Sequence, residues 1–239
     1  MISFKDSRAL RADARESLLG HLTTTVTALL LYMFSTSVLA EMVNGLDSGS
    51  VLLSLALSVM VFFVVNTCGY MLRIGLAYIF MRLAFRQGAR IGDLFCAFRK
   101  NSNTAVTLSG FMALLELFCM LPLLFSLSVL SAQGRSAYSV LLAVLFAAGF
   151  AATFYVRLRY AMLAYLHLDF PDLTPRQLIR GSAKLIRGHK MRLFKLYLSF
   201  LPLQLLTVLS LGIAGLWVSS YTQAATAAFY KDLMANRAF

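Results

Sequence analysis

The segment VLLSLALSVMVFFVVNTCGYMLRIGLAYIFMRLAF, residues 51–85, decides the fold class. Its apolar character is interrupted by Gly69, Arg73 and Gly75. As a helix rising 1.5 Å per residue, it would be about 50 Å long, whereas the hydrocarbon core of a bilayer is about 30 Å thick. We therefore expect a membrane-spanning helix that bends, tilts strongly or continues into the interface, with the two glycines as the place for a bend.

Other apolar segments of span length lie on both sides of this one, at residues 22–43, 104–131, 137–168 and 193–230. The last is too long for one span, and residues 210–215 supply the turn residues that divide it in two. The chain is 59% hydrophobic and 13% charged, whereas soluble domains are roughly 45–50% apolar and 25% charged. The sequence predicts an all-α, polytopic transmembrane helical bundle of about six spans, with residues 1–239 as a single integral membrane domain.

Basic residues concentrate on one predicted face of the membrane. They occupy residues 1–21, 82–103, 157–195 and 231–239, which hold 4, 5, 9 and 2 Lys or Arg, together 20 of the chain's 22. The positive-inside rule places this face and both termini in the cytoplasm. The predicted order is a cytoplasmic N-terminal amphipathic segment (1–21), four spans (22–168), a cytoplasmic connector (169–192), and two spans with a cytoplasmic C-terminus (193–239).

The connector contains a predicted amphipathic helix with defined ends. Thr174 precedes Pro175, Gln177 completes a capping box, and Gly188 supplies the stop. The helical repeat divides the segment into two faces. The basic face carries Arg176, Arg180, Lys184 and Arg187, and the opposite face carries Leu178, Ile179, Ser182, Leu185 and Ile186.

Two interpretations of this helix stay open. In the first, its apolar side enters the membrane interface, and its four cations, together with His189 and Lys190, contact anionic lipid headgroups. Each basic residue near such a surface contributes about 1 kcal/mol. In the second, the apolar side packs on the protein's own spans. The two interpretations are compatible.

The sequence from residue 169 onward follows the pattern of a known family. The shared residues are Asp169-x-Pro171-Asp172-Leu173, Ser182-x-Lys184-Leu185-Ile186-x-Gly188-His189-Lys190-x-x-Leu193-Phe194, Leu198-Ser199-Phe200, Leu205-Leu206, Gly212-Ile213, Leu216-Trp217, Tyr221 and Thr226-x-Ala228-Phe229-Tyr230. This pattern resembles the bacterial integral membrane protein family called "domain of unknown function 975". The resemblance implies a helical protein of the bacterial cytoplasmic (inner) membrane, and it implies no activity.

Glu116 is the strongest candidate for a functional residue in the sequence. It lies about twelve residues, hence roughly 18 Å, into its predicted span. An ionisable group at that depth needs a partner or a water-filled cavity. Arg73 reaches a similar depth in its own span and is the candidate partner. The pair either serves transport or is structural, and a neutral Glu116 hydrogen-bonded to a neighbouring span is the remaining alternative.

Motifs for catalysis and cofactor binding are absent from the sequence. It has no H-E-x-x-H, G-x-S-x-G, Walker A or G-x-G-x-x-G motif, and its three cysteines are isolated. His167 with Asp169 and Asp172 is the conceivable metal site, but polar residues where a span meets water explain it better. We expect no catalytic residue, metal or cofactor. The membrane topology accounts for the positive charge, so we also expect no nucleic-acid partner.

These observations favour a non-catalytic membrane protein that organises, adapts or senses through a basic cytoplasmic face. Membrane lipids with anionic headgroups are the expected partners, and a protein partner or a second copy of the chain stays open. The alternative is a small transporter or lipid-handling protein that uses the intramembrane residues Glu116 and Arg73.

Overall fold

The structure is a computed structural model that describes residues 4–44, 51–99, 101–133 and 139–236, and the secondary structure of these residues is helical, without strands. A 3-10 helix at Ile91–Phe95 precedes α4. The α-helices in chain order are α1 (Ser7–Leu18), α2 (Leu22–Asn44), α3 (Val51–Ala84), α4 (Cys96–Arg99), α5 (Ser102–Gln133), α6 (Ser139–Arg159), α7 (Leu163–Asp169), α8 (Pro175–Leu185), α9 (Lys190–Leu198), α10 (Leu201–Leu209) and α11 (Gly215–Ala235).

Helix α3 is the central element, because it packs against α2, α5, α7, α11 and the 3-10 helix. It runs through its 34 residues without a break, so neither glycine interrupts it. Gly75 has a different role. A Cβ atom built on Gly75 would lie 1.7 Å from the carbonyl oxygen of the buried Leu94, so the missing side chain lets the 3-10 helix touch the α3 backbone.

Several of these helices are long and apolar enough to cross a membrane. Among the described residues, three stretches meet that requirement: Val59–Ala84, Ser102–Cys119 and Lys190–Leu209. A fourth is added if Ser7–Leu18 and Leu22–Val38 form one span bent by 96°. The all-helical, apolar architecture is therefore confirmed at this coarse level, and the count of six spans stays a prediction.

Two predicted apolar segments are divided differently from the expectation. The described part of the segment predicted at 137–168 forms α6 and α7 rather than one helix, because α6 ends at Arg159 and the chain turns before Leu163. The C-terminal segment divides at residues 210–214, as the turn residues indicate. It is also interrupted near Phe200, where α9 gives way to α10.

The four basic segments meet at one end of the bundle. The backbone N–H of Lys5 donates to Asp232 Oδ1 over 3.3 Å, which joins the two described chain ends. Arg192 donates to Asp232 Oδ2 over 2.8 Å and to the Lys5 carbonyl over 2.7 Å. Asn101 donates to the Pro171 carbonyl over 3.1 Å, which ties the second segment to the third.

Helix α1 is amphipathic and lies at the joint of the chain ends, where Lys5, Arg192 and Asp232 meet. Its buried residues are Leu10, Ala14 and Leu18, four residues apart, which places them on one helical face. The helix packs mainly against α11, and the Tyr221 hydroxyl donates to the Arg11 carbonyl over 3.0 Å. The N-terminal segment is thus part of the folded core at this end.

Replacing Gly75 with Ala tests the contact between α3 and the 3-10 helix. The added methyl group would overlap the Leu94 carbonyl, and we expect a loss of about 1–3 kcal/mol in the free energy of unfolding, as for other overpacked sites. Gly69→Ala, in the same helix, is the matched control, because its Cβ would lie 3.6 Å from Thr36 Cγ2. Equal stability of the two variants would contradict the proposed role of Gly75. Thermal unfolding in detergent measures both.

Candidate functional site

Glu116 is a buried acid with a defined ionic partner. Its side chain is 8% exposed, and its Oε1 accepts a hydrogen bond from Arg157 Nε over 2.9 Å. The Arg157 side chain is 50% exposed. The carboxylate of this ion pair is therefore buried, whereas water reaches the guanidinium. Loss of the ion pair should be more unfavourable for the carboxylate than for the guanidinium.

Arg73, the predicted partner of Glu116, does not take that place. It forms no salt bridge within the described part of the chain, and its guanidinium carbon lies 5.3 Å from the Tyr70 ring centroid. Tyr32, Tyr70 and Glu116 are the groups close enough to interact with it electrostatically. Arg73 thus belongs to the same polar cluster as Glu116 without being its ion-pair partner.

The position of Arg157 follows from the geometry of a helical hairpin. Helices α5 and α6 are neighbours in the chain and pack extensively against each other. In an antiparallel pair, residues equally distant from the turn lie opposite each other. Glu116 and Arg157 are each about twenty residues from residue 136, so that rule would have paired them. Because Arg157 is assigned to the basic face with the rest of residues 157–195, it is not a predicted partner of Glu116.

Two cavities meet at this polar cluster. The first, of about 350 Å³, lies between α3, α5, α6, α7, α9 and α11. The second, of about 460 Å³, lies between α2, α3, α5 and α6 and includes Glu116. Tyr70, Arg73 and Arg157 line both cavities. Arg73 and Arg157 therefore lie where the two cavities adjoin.

The predicted basic helix is α8, and its two faces are sharply divided. Its start is as expected, since the Thr174 N–H donates to Gln177 Oε1 over 2.9 Å. It ends at Leu185, before the predicted stop at Gly188, whose φ is +88°. Leu178 and Ile186 are fully buried in the protein core. The four predicted cations are exposed and form no ion pair with described residues: Arg176, Arg180, Lys184 and Arg187.

This division supports the second interpretation of the aliphatic face, which packs on the protein's own helices. Ser182 and Leu185 are buried on that side as well, and Ile179 is half-buried against the same core. Contact between the cations and lipid headgroups is not tested by this packing and stays a prediction. Any membrane contact of α8 then has to come from its charged side.

The family model described as "Protein of unknown function (DUF975)" matches residues 1–237. The chain belongs to this family. No curated protein and no solved structure matches the chain. The family description assigns no activity, so the function of this DUF975 member has to be argued from its own residues.

His189 and Lys190 of this DUF975 chain are engaged within the protein. The His189 ring lies 4.7 Å from the Phe4 ring, centroid to centroid. Lys190 Nζ donates to the Tyr155 hydroxyl over 2.9 Å. Burial lowers the pKa of His189, and the Arg192 charge lowers it further, while the Asp232 charge opposes the shift. His189 therefore contacts the N-terminal segment, and Lys190 connects α9 to α6.

The conceivable metal site is not assembled. No cluster of three or more His, Cys, Asp or Glu residues suited to a metal ion occurs among the residues that the structure describes. Asp169 instead accepts a hydrogen bond from the Tyr230 hydroxyl over 2.7 Å, and His167 is buried. These residues are part of the packing around α7.

A double-mutant cycle tests the Glu116–Arg157 pair. Arg157→Gln leaves a buried carboxylate without its charge partner, and we expect a cost of about 1–3 kcal/mol in the free energy of unfolding. Glu116→Gln should cost less, because water solvates the half-exposed Arg157. The coupling should exceed about 0.5 kcal/mol and should be larger than that of a matched Glu116/Arg73 cycle. Additive effects of the two replacements would contradict the pair.

The His189 environment predicts a pH dependence. Because its folded-state pKa lies below the ordinary value of about 6.5, the unfolded chain binds the proton first as the pH falls. Stability should then decrease as the pH falls below about 6.5, until the folded-state pKa is passed. His189→Gln should reduce the difference between the melting temperatures at pH 7.5 and pH 5.5. An unchanged difference would exclude His189 as its source.

Proposed function

We propose that the protein is a non-catalytic, multi-pass protein of the bacterial inner membrane that binds anionic lipid headgroups on a basic cytoplasmic face. In this role it organises the membrane, adapts other components to it, or senses its charge. The observation that carries the proposal is the exposed basic face of α8. The four cations of α8 and the turn after it have no carboxylate partner among the described residues, although the opposite face of α8 packs into the core.

The arrangement of the basic segments supports the proposed topology of six spans with both termini in the cytoplasm. The segments at residues 1–21, 82–103, 157–195 and 231–239 contact one another. An even number of spans returns the chain to the side on which it started. Positive charge on that side is typical of the cytoplasmic face.

The mode of headgroup binding follows from the packing of α8. Because Leu178, Leu185 and Ile186 are buried in protein, the helix has no apolar face left to insert into the membrane. Its attraction to lipid is then mainly electrostatic, at about 1 kcal/mol for each basic residue near the surface. Exposed charges are screened over about 10 Å at 0.1 M salt. The interaction should therefore weaken as the salt concentration rises.

A second candidate function, lipid handling or transport, is supported by a separate observation. The buried Glu116, with Arg157 and Arg73, stands where the two cavities adjoin. Ionisable groups inside a membrane protein commonly mark a substrate pathway. A single acid makes a poor proton relay, so this cluster favours handling of a charged amphiphile over proton-coupled transport. Flux or lipid-exchange assays in proteoliposomes, comparing wild type with Glu116→Gln, address this candidate.

Neutralising the basic face tests the first proposal. Replacing Arg176, Arg180, Lys184 and Arg187 together with Gln should leave the melting temperature nearly unchanged, because all four side chains are exposed. The amount of phosphatidylglycerol that co-purifies with the protein should fall, and high salt should remove the same fraction from the wild type.

Charge-conserving replacements provide the control. Arg176→Lys, Arg180→Lys and Arg187→Lys keep the charge of the face, so they should keep the bound lipid. Unchanged lipid retention together with a collapse of stability in the Gln variant would show that α8 is a structural brace, and would contradict the proposal.

A further inference from the structure

The first cavity, between α3, α5, α6, α7, α9 and α11, carries polar groups that the protein itself does not satisfy. Tyr165 and Ser109 line it, and the hydroxyl of each is buried without a hydrogen-bond partner in the described structure. Tyr165 is 2% exposed and Ser109 is 1% exposed. A buried hydroxyl without a partner is unfavourable, and two such hydroxyls belong to residues that line one cavity.

The Ser109 hydroxyl departs from the usual behaviour of hydroxyls in these helices. Thr107, its near neighbour in α5, donates to the carbonyl four residues earlier over 2.8 Å. Thr153 does the same in α6 over 2.9 Å. Ser109 makes no such bond although its helix offers the same acceptor. Its donor is thus unused within the described structure.

The Tyr165 hydroxyl is held in place by its neighbours. Its ring stacks on the Tyr230 ring, with centroids 5.2 Å apart and planes tilted by 21°, and the Tyr230 hydroxyl is itself anchored on Asp169. A ring fixed in this way points its donor before any ligand arrives, which lowers the ordering cost of binding.

The charge of the cavity selects the ligand. Arg73 and Arg157 line it, and among the described lining residues there is no Asp or Glu. Glu116 forms its ion pair with Arg157 from the neighbouring cavity, so two arginines share one carboxylate and the cluster keeps one net positive charge. An arginine surrounded by hydroxyl donors is a typical binding site for phosphate oxygens.

The remaining wall and the position of the cavity indicate a lipid. Much of the lining is aliphatic, including Leu108, Met112 and Leu158. All three stretches long enough to span a membrane contribute to it, through Tyr70 on α3, Ser109 on α5 and Tyr197 on α9. Its volume of about 350 Å³ is within the usual range for small-molecule sites and suits a headgroup and the start of its chains rather than a whole lipid.

We propose that this cavity binds the headgroup of one anionic phospholipid, with its phosphate on Arg73 and its oxygens accepting hydrogen bonds from Ser109 and Tyr165. The site uses none of the α8 cations, so it goes beyond the basic-face proposal, and it gives the lipid-handling candidate its ligand class. The second cavity, which shares Tyr70, Arg73 and Arg157, lies next to this headgroup site.

Native mass spectrometry of the delipidated full chain tests this site with three soluble probes: dioctanoyl phosphatidylglycerol, dioctanoyl phosphatidylcholine and inorganic phosphate. We expect one phosphatidylglycerol per chain at saturation, and binding of the choline lipid at least about 10-fold weaker, since its cation faces two arginines. Inorganic phosphate that competes as well as the lipid would overturn the lipid assignment. Equal binding of the two lipids would overturn the proposal.

The variants separate a binding role from a structural one. The double replacement Ser109→Ala and Tyr165→Phe should weaken phosphatidylglycerol binding about 10-fold or more, because hydrogen bonds to a charged group are lost. The melting temperature of the delipidated protein should stay equal or rise, because unsatisfied polar groups are removed. Ser182→Ala is the matched control, since that hydroxyl is also buried and unpartnered but does not line the cavity.

Two outcomes in these variants would overturn the site: unchanged lipid affinity in the double variant, or an equal loss of affinity in Ser182→Ala. A clear fall in the melting temperature of the delipidated double variant would assign the hydroxyls to structure and overturn it as well. The variant with Gln at 176, 180, 184 and 187 should keep the one tightly bound lipid of the cavity and lose the lipids that high salt removes. Failure of the basic-face proposal is therefore distinguishable from failure of the cavity proposal.

Discussion

The cost of placing charge in hydrocarbon is the constraint on which the rest of this structure depends. A cation at the centre of a spanning helix costs about 2.5–3.5 kcal/mol, and 20 of the 22 Lys and Arg residues fall in the four basic segments. Once they are gathered at one end, they need acceptors there. Asp232, which receives Arg192 and the Lys5 backbone, supplies acceptors at the joint of the chain ends.

The polar groups that do enter the bundle follow the same constraint. Glu116 is buried and is matched by Arg157, whose outer half stays hydrated. Arg73 lies over the Tyr70 ring and interacts with Tyr32, Tyr70 and Glu116, without a salt bridge within the described chain. Ser109 and Tyr165, which line a cavity with Arg73, also have buried hydroxyls without partners in the described structure. The bundle therefore leaves a local excess of donors in one cavity, which is the condition that an anionic ligand would satisfy.

Features that depend on neighbours in the sequence were predictable, and features that depend on helix rotation were not. Thr174 and Gln177 mark the start of α8 by local chemistry, and the turn residues at 210–215 divide the last apolar segment. The position of Glu116 along its predicted span correctly indicates that it lies in the interior. Position along a helix does not give the direction in which a side chain points, so it favours Arg73 instead of Arg157 as the partner. The contact of Gly75 with Leu94 and the break before α7 arise from packing, which leaves no periodic signal.

The most direct test of this account is the sidedness of the joined basic end. In a cysteine-free background, single cysteines at Asp172 and Ala235, both exposed at that end, and at Ile213, exposed in the turn between α10 and α11, are treated with a membrane-impermeant thiol reagent in intact cells. The account predicts labelling of the cysteine at 213, and labelling at 172 and 235 only after the cells are opened. Labelling at 172 or 235 from outside would contradict it.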